Sequence, residues 1–233
     1  MPSPWIVNAT HDDFVVAAKP AGVSFHNDGE TPGFVTRLRA ETGLADLHPV
    51  HRLDRITSGL VLLARNADAA RELGELFESG RIEKYYVALS ERRPSKSQGR
   101  IQGGMEKGRG GSWKFVREGG QLAVTQFFSF TLATGLRLFV VRPRTGRTHQ
   151  IRVALKSLGA PILGDSRYGG TMADRGYLHA WALRFEWRGT TCQFMLPPDE
   201  GSAFTHIETL EALRAHSPFD LPWPRWHAPR PVQ

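Results

Sequence analysis

The 233-residue sequence has one cysteine, Cys192, and no long apolar run. A single cysteine excludes an internal disulfide framework and a thiolate zinc cage. No stretch approaches the roughly 20 apolar residues that a membrane-spanning helix needs. The N-terminus also lacks a basic region followed by an apolar run, so no secretory leader is predicted. These absences favour a cytoplasmic protein that folds without disulfide bonds and does not bind a membrane.

Other signatures are missing as well. There is no G-x-x-x-x-G-K-[ST] loop for a nucleoside triphosphate. The histidines at 51, 149 and 179 lack the paired spacing of metal ligands. No linker rich in Gly, Ser and Pro divides the chain, so we expect a single domain over residues 1–233, ending in a proline-rich, irregular tail at about 217–233. We expect neither a cofactor nor a metal, and a monomer by default.

Positive charge is concentrated in one segment. The net charge is +7, and residues 92–117 alone hold eight Lys or Arg against one Glu, which leaves 22 cations and 22 acids elsewhere. That segment also holds six glycines, so residues 91–121 are predicted to form a mobile basic loop or a long hairpin, called the basic arm here. A polyanion with repeating phosphates would bind such a surface most strongly, because each phosphate that is neutralised releases counterions. A solvated loop that serves only solubility is the alternative. The cations expected to contact RNA are Arg92, Arg93, Lys96, Arg100, Lys107 and Arg109.

Strand-like and helix-like segments alternate along the chain. Asn66 can cap a helix that Gly80 closes. Thr205 and Glu208 have the spacing of a capping box at the start of a later helix, which should turn Ile207 inward. The pattern predicts an α/β (α+β) fold with a mixed, largely antiparallel central sheet, flanking helices and an active-site cleft.

The segment HRLDRITSGLVLLARN, residues 51–66, sets Asp54 between Arg52 and Arg55 and just before an apolar run. That run is typical of a strand buried on both faces. If Arg52 and Asp54 lie in extended chain, their side chains share one face. A carboxylate beside a fixed cation stays ionised where water is scarce and can serve as a nucleophile or a base. On these residues alone, an Asp that only caps residues 57–59 or pairs with arginine is the simpler explanation.

A second basic constellation is RPRTGRTHQIRVALKSLGAP, residues 142–161. It predicts a turn at Thr145-Gly146 and then a helix with Arg147 at its beginning. The face opposite the apolar residues carries His149, Arg152 and Lys156. A helix N-terminus with arginines attracts an anion, either a phosphate or a carboxylate such as Asp54. A solvated basic helix face is the alternative.

Taken together, HRLDRITSG and RTGRTHQIR, with KYY between them and LHA after them, resemble the motifs of the RluA-type pseudouridine synthases. DDFVVAAKPAGVSFH and LGAPILGDSRYGG fit the same pattern, so the resemblance runs in order from about Phe14 to Leu196. It implies the pseudouridine synthase catalytic fold and an isomerase that acts on structured ribosomal or transfer RNA. We expect a stand-alone catalytic domain, without the S4-like RNA-binding domain of many relatives.

The resemblance also implies catalytic roles. Asp54 would be the essential catalytic aspartate, held in an ion pair by Arg147. Tyr86 would stack on the target base and take part in removing its C5 proton, with the adjacent Tyr85 as the alternative for that position. Asp54 could attack C1′, add to C6 or withdraw a sugar proton, and residue types do not decide among these routes.

Substrate contacts are implied by the same resemblance. Arg52 would enter the gap left by the extruded uridine, and Leu178 would line the pocket. Further contacts are expected from Lys84, His149 and Arg152. Extruding a base costs about a few kcal/mol, and stacking on an aromatic ring returns roughly 1–3 kcal/mol.

The implied reaction breaks the N1–C1′ bond, turns the uracil ring and rejoins it through C5. Nothing is oxidised, and no nucleotide cofactor or metal takes part. Two other functions remain open on the residues alone. One is a non-catalytic RNA-binding or remodelling module that uses the basic arm. The other is a metal nuclease built on His51, Asp54 and His149.

Overall fold

The computed structural model describes the backbone of residues 6–8 and all of residues 11–225. In this part of the chain, eleven strands form one sheet and four α-helices pack around it. The strands are β1 Ile6–Asn8, β2 Phe14–Lys19, β3 His48–Pro49, β4 Thr57–Ala64, β5 Glu83–Ser90, β6 Gln98–Lys107, β7 Trp113–Val116, β8 Gln121–Thr131, β9 Arg137–Pro143, β10 Leu178–Trp187 and β11 Thr190–Met195. The helices are α1 Phe34–Thr42, α2 Ala67–Glu78, α3 Gln150–Ser157 and α4 Ile207–Ala215.

The main strand order is β1-β2-β4-β10-β5-β9-β8-β6-β7, with β11 on β10 and β3 on β4. Neighbours along this order are antiparallel except β4 and β10, which are parallel. The predicted mixed, largely antiparallel sheet is therefore confirmed. Every helix of the described residues is too short or too polar to cross a membrane.

Strand β4 is an interior strand of the sheet, and all eight of its residues are buried, as its apolar sequence predicts. Its third residue, Gly59, has φ +107°. A Cβ added there would lie 2.3 Å from the carbonyl oxygen of Ala180 in β10. Only glycine permits this close parallel approach. The start of β4 is thereby pinned against the start of β10, just beyond Asp54.

The predicted N-terminal cap is present in helix α2 and absent in helix α4. The Asn66 side chain accepts from the Ala69 N–H at 2.8 Å, so the predicted cap of α2 is confirmed. The predicted capping box of α4 is wrong, since Thr205 donates to the Gly201 carbonyl and Glu208 accepts from the Thr134 N–H. Ile207 is 57% exposed rather than buried. A local bond of Thr205 and a tertiary bond of Glu208 therefore replace the two bonds of a capping box.

The basic arm is a hairpin rather than an unstructured loop. β6 pairs with β8, and β7 returns antiparallel on β6 at the edge of the sheet. Because strand side chains alternate between faces, Arg100 projects on the same face as its partner Gln126, and Lys107 on the same face as Trp113. The cations of one strand are thus divided between the two faces of the sheet.

The proline-rich tail is described as far as residue 225, and residues 226–233 lie outside the described residues. Residues 217–225 are irregular, as predicted, and they cover one face of the sheet. The ring of Phe219 lies 5.2 Å from that of Tyr85, and the ring of Trp223 lies 5.0 Å from that of Phe128. We call this the tail face, and the face that carries α3 the cleft face.

Candidate active site

A cleft of about 560 Å³ opens on the cleft face. Its walls come from the loop before β4, the end of α2, the middle of β5, the turn between β9 and α3, and the first residue of β10. β4 and β10 are parallel and begin side by side at Thr57 and Leu178. Parallel pairing therefore brings the segment that carries Asp54 next to Leu178, as the predicted pocket requires.

Asp54 borders this cleft with its side chain 17% exposed. Its backbone carbonyl accepts from the Thr57 N–H at 3.0 Å, which fixes the turn before β4. The carboxylate oxygen Oδ2 lies 3.4 Å from Nη1 of Arg152. The carboxylate thus has one long contact with a cation and retains the capacity to accept further hydrogen bonds.

Arg152 is held by a second carboxylate. Its Nε and Nη2 donate to the two oxygens of Asp165 at 2.7 and 2.8 Å, a bidentate pair in which both side chains are at most 5% exposed. Burial by itself lowers the pKa of Arg152, but the hydrogen bonds and charge of Asp165 outweigh burial and raise it. Asp165 therefore fixes a permanent cation, and that cation keeps its remaining Nη1 directed at Asp54.

The predicted ion pair between Arg147 and Asp54 is wrong. Arg147 is exposed, and its Nε donates to the Leu122 carbonyl at 3.0 Å. Within the described residues, the arginine in contact with Asp54 is Arg152. The cause is the helix boundary, since α3 begins at Gln150 and Arg147 lies in the turn before it. Arg152, in the first turn of the helix, takes the place expected for Arg147.

The alternation of β5 decides between the two adjacent tyrosines. Tyr86 lines the cleft, and burial, followed by the nearby negative charge of Asp54, raises its pKa above the ordinary value. Tyr85 points to the tail face and donates to Glu83 Oε2 at 2.8 Å. Tyr86 is therefore the tyrosine beside Asp54.

Lys84 also lines the cleft, and its side chain is buried. Burial, followed by the positive charge of Arg144, lowers the pKa of Lys84 to about 8. Its Nζ lies 5.5 Å from the centroid of the Phe77 ring. Near neutral pH this group carries its charge in a confined space, where an anionic or carbonyl oxygen of a ligand would stabilise it.

His51 opens the HRLD segment but has a structural contact. Its Nε2 accepts from the Leu62 N–H at 2.9 Å, and its ring stacks on Phe77 at 4.4 Å. Burial, followed by the charge of Lys84, lowers the pKa of His51 to about 3, so the ring is neutral. Residues 11–225 contain no group of three His, Cys, Asp or Glu side chains that could hold a metal ion, and the arrangement gives the metal-nuclease alternative no support.

His149 lies at the cleft wall immediately before α3, with φ +57°. Its Nδ1 is 2.8 Å from the hydroxyl of Tyr168. Burial lowers the pKa of His149, and the neighbouring Asp54 offsets this only in part. Asp165 and Tyr168 were not identified from the sequence as site residues. Both lie in the segment LGDSRYGG, residues 163–170, and the family resemblance of that segment could have pointed to them.

Arg52 is exposed and borders two recesses. One is the cleft, and the other is a shallow cavity of about 200 Å³ that also contacts Arg55 and Asp28. Among the described residues the Arg52 guanidinium has no hydrogen-bond or ion-pair partner. A free cation at the rim fits the predicted insertion into a gap in a nucleic acid.

The six predicted cations of the basic arm are all exposed, but they do not form one patch. Arg92, Arg93 and Lys96 lie in the connection from β5 to β6, where the Ser95 N–H donates to the carbonyl of Leu158 just after α3. The other three lie on the hairpin. Arg100 projects on the tail face, whereas Lys107 and Arg109 are at the hairpin tip beside the loop that carries Tyr168.

Comparisons with known proteins agree with this geometry. A family model described as RNA pseudouridylate synthase matches residues 13–157. An uncharacterized RNA pseudouridine synthase of Haemophilus influenzae is 40% identical over 208 residues, which cover 88% of this chain and 93% of that protein. The ribosomal large subunit pseudouridine synthase C of Rickettsia bellii is 35% identical over 68% of this chain, and the chain spans about half, 54%, of its length.

Two solved human structures have the same fold. RNA pseudouridylate synthase domain containing 1 gives a TM-score of 0.73 at 24% identity, and domain containing 4 gives 0.71 at 25% identity. In both cases the match covers 91% of this chain and 94% of the human chain. The strand order described above is therefore the fold of a known group of proteins.

Proposed function

This chain belongs to the RNA pseudouridylate synthase family, and we propose that it isomerises specific uridines of a structured ribosomal or transfer RNA through Asp54. Membership makes it an RNA pseudouridine synthase, which is an isomerase. The observation that supports the residue assignment is a carboxylate in an open cleft, with a buried guanidinium at 3.4 Å and a buried tyrosine nearby.

In the proposed reaction the target uridine leaves its stack and enters the cleft, since its ring is inaccessible inside paired RNA. The N1–C1′ bond breaks, the ring turns and a C5–C1′ bond forms. C5 loses a proton and N1 gains one, so product and substrate are isomers. Asp54 acts as an ionised carboxylate, by attack on C1′, addition to C6 or removal of a sugar proton.

Arg152 takes the role expected of Arg147. Its charge, held in place by Asp165, attracts the carboxylate of Asp54 in a cleft from which the bound nucleotide excludes water. The contact to Asp54 is single and longer than the contacts to Asp165, so the cation stabilises the catalytic carboxylate without using both of its oxygens. Tyr86 provides the ring against which the base stacks and the oxygen that takes part in removing the C5 proton.

The remaining contacts serve binding. Arg52 fills the gap in the RNA, Leu178 borders the base, and Lys84 and His149 offer donors to its oxygens or to the ribose. The basic arm contacts phosphates, as counterion release favours. We further propose a cytoplasmic monomer whose single domain finds a small stem-loop by shape and by bases exposed in the loop.

The test is Asp54→Asn, which keeps the size of the side chain and removes its charge. The variant is expected to fold and to bind RNA, but to release no tritium from RNA labelled at C5 of uridine. The matched control is Asp174→Asn, because Asp174 accepts from the hydroxyl of Tyr177 outside the cleft. The control should release tritium at the wild-type rate.

Tritium release by Asp54→Asn at the wild-type rate would overturn the assignment of Asp54. If Asp54→Ala also replaced the wild-type gene fully in cells, the alternative of a non-catalytic RNA-binding or remodelling module would be favoured. Mapping pseudouridines in total RNA with and without the gene identifies the substrate.

A further inference from the structure

The buried hydroxyl of Tyr168 joins the basic arm to the wall of the cleft. Tyr168 lies in the short 3₁₀ turn Ser166–Tyr168 and is 3% exposed. Its oxygen is 2.8 Å from the backbone nitrogen of Trp113, at the start of β7, and 2.8 Å from Nδ1 of His149. One hydroxyl therefore has a partner on the hairpin and a partner on the cleft wall.

The position of each proton follows from these two partners. A backbone N–H can only donate, so the Tyr168 oxygen accepts from Trp113 and its own proton is left to be donated. His149 Nδ1 is the acceptor within reach among the described residues. Nδ1 of the neutral ring is then unprotonated, and Nε2 carries the proton. In the described part of the chain, Nε2 has no hydrogen-bond partner of its own, which leaves an N–H donor at the cleft wall.

The backbone of His149 supports a functional role for this arrangement. A φ of +57° is uncommon for a residue with a side chain, and it persists only where the surroundings enforce it. His149 lies at the N-cap of α3 and makes no side-chain capping bond there. Its side chain is used instead in the bond to Tyr168, so this conformation serves to aim the ring.

The ring of Tyr168 also contacts Arg152, the cation beside Asp54. The guanidinium carbon of Arg152 lies 4.8 Å from the ring centroid, and Nζ of Lys156 lies 5.7 Å from it. A tyrosine has two separable functions here. Its ring supports Arg152, and its hydroxyl orients His149. Replacing Tyr168 by Phe removes the second function and keeps the first.

We propose that Tyr168 is a positioning residue, whose hydroxyl holds His149 as an Nε2–H donor to an oxygen of the target nucleotide, either a uracil carbonyl or a ribose hydroxyl. This inference rests on the proposed function. It adds a hydrogen-bond donor that selects among bound nucleotides, because only a nucleotide with an oxygen placed where Nε2 points can accept its proton. The bond from Trp113 ties that donor to the arm that contacts RNA.

The experiment compares Tyr168→Phe with Tyr177→Phe. Tyr177 is equally buried, and its hydroxyl bonds to Asp174, Ser202 and the Ala203 N–H away from the cleft. Each variant loses one buried hydroxyl, so the control matches the loss of stability. At saturating RNA we expect the single-turnover rate of Tyr168→Phe to fall about tenfold, the effect of one misplaced hydrogen bond, with little change in RNA affinity. Tyr177→Phe should keep the wild-type rate.

A second measurement reads the tautomer directly. In protein with ¹⁵N-labelled histidine, the ring signals of His149 should show an Nε2-protonated ring in the wild type and a mixture of tautomers in Tyr168→Phe. His149→Asn assigns the signals, because asparagine tolerates a positive φ. Equal rates in the two Phe variants, or a wild-type ring protonated on Nδ1, would overturn the proposal. Absence of pseudouridine formation by the wild type would instead overturn the proposed function, and the tautomer would remain measurable.

Discussion

The two faces of strand β5 hold ionic clusters of opposite composition. On the cleft face one cation, Arg152, lies between two carboxylates. On the tail face one carboxylate, Glu83, lies between Arg142 and Arg184 and also accepts from the hydroxyl of Tyr85. Excess acid leaves an oxygen of Asp54 available in the cleft, whereas excess cation uses both oxygens of Glu83. A carboxylate with an available oxygen and a fully bonded carboxylate thus lie on the two sides of one strand.

The charges follow the same division. Burial raises the pKa of Glu83, but Arg142 and the hydrogen bonds of the cluster outweigh burial and lower it. Phe219 and Trp223 of the tail then cover the neighbouring Tyr85 ring. The Asp54 side chain is no more exposed than that of Glu83, at 17% against 22%, but Asp54 borders the cleft. The tail-face cluster therefore has its carboxylate fully bonded within the fold, whereas the cleft-face cluster presents one carboxylate, that of Asp54, to a ligand.

The largest effect is expected from breaking the cleft-face cluster. Arg152→Met leaves the buried carboxylate of Asp165 and the partly buried carboxylate of Asp54 without their cation, which typically costs about 3–5 kcal/mol, and turnover should be lost. Arg142→Met on the tail face leaves Glu83 with Arg184 and Tyr85, so we expect about 1 kcal/mol and normal turnover. Urea unfolding and tritium release measure the two quantities.

Because Arg152→Met risks failing to fold, Arg152→Lys provides a second measurement. Lysine keeps the charge but cannot make the bidentate pair to Asp165 while contacting Asp54. A folded Arg152→Lys protein should therefore have reduced turnover. Wild-type turnover in this variant would show that Asp54 does not depend on the oriented guanidinium.

Several features of the two faces could be predicted from the sequence, because they depend on residues close together in the chain. The apolar run after Asp54 predicted the buried strand β4, and Asn66 predicted the start of α2, because both depend on near neighbours in the chain. The basic arm was located by its charge. Its division between two faces was not, since that depends on the register of β6 with β8.

The errors involve contacts that are distant in sequence or helix ends. Arg147 was assigned to the ion pair through the resemblance, and only the folded chain shows that Arg147 bonds to the Leu122 carbonyl while Arg152 reaches Asp54. Asp165 was not identified because only the folded chain brings it to Arg152. The KYY sequence left two tyrosines open, and pairing with the neighbouring strands selects Tyr86.

Removing the tyrosine hydroxyl on either face of β5 should have an effect of intermediate size. Tyr86→Phe keeps a ring for stacking but loses the oxygen that we propose takes part in proton removal, so turnover should fall about 10²-fold with RNA affinity retained. Tyr85→Phe loses the bond to Glu83 and should cost about 1 kcal/mol of stability with normal turnover. Rapid-quench assays and thermal unfolding separate the two outcomes. Equal turnover in both variants would contradict the division between faces.

The smallest effect is expected on the hairpin, where one pair of cations lies at the tip and a matched pair projects on the tail face. Replacing all six predicted arm cations by Ser should weaken RNA binding and flatten its salt dependence. The comparison predicts that the loss is unequal. Lys107 and Arg109 lie at the tip beside the Tyr168 loop, whereas Arg100 and Lys114 project on the tail face.

Both double substitutions by Ser remove two charges, so a purely long-range attraction would weaken RNA binding equally. If the RNA lies across the cleft face, only the Lys107 and Arg109 pair of these two pairs makes phosphate contacts. Its loss should make the negative slope of log K against log salt shallower by about 2. The Arg100 and Lys114 pair should leave that slope close to wild type. Equal slopes for the two variants would mean that the hairpin acts through net charge, and that the two faces differ in chemistry but not in RNA binding.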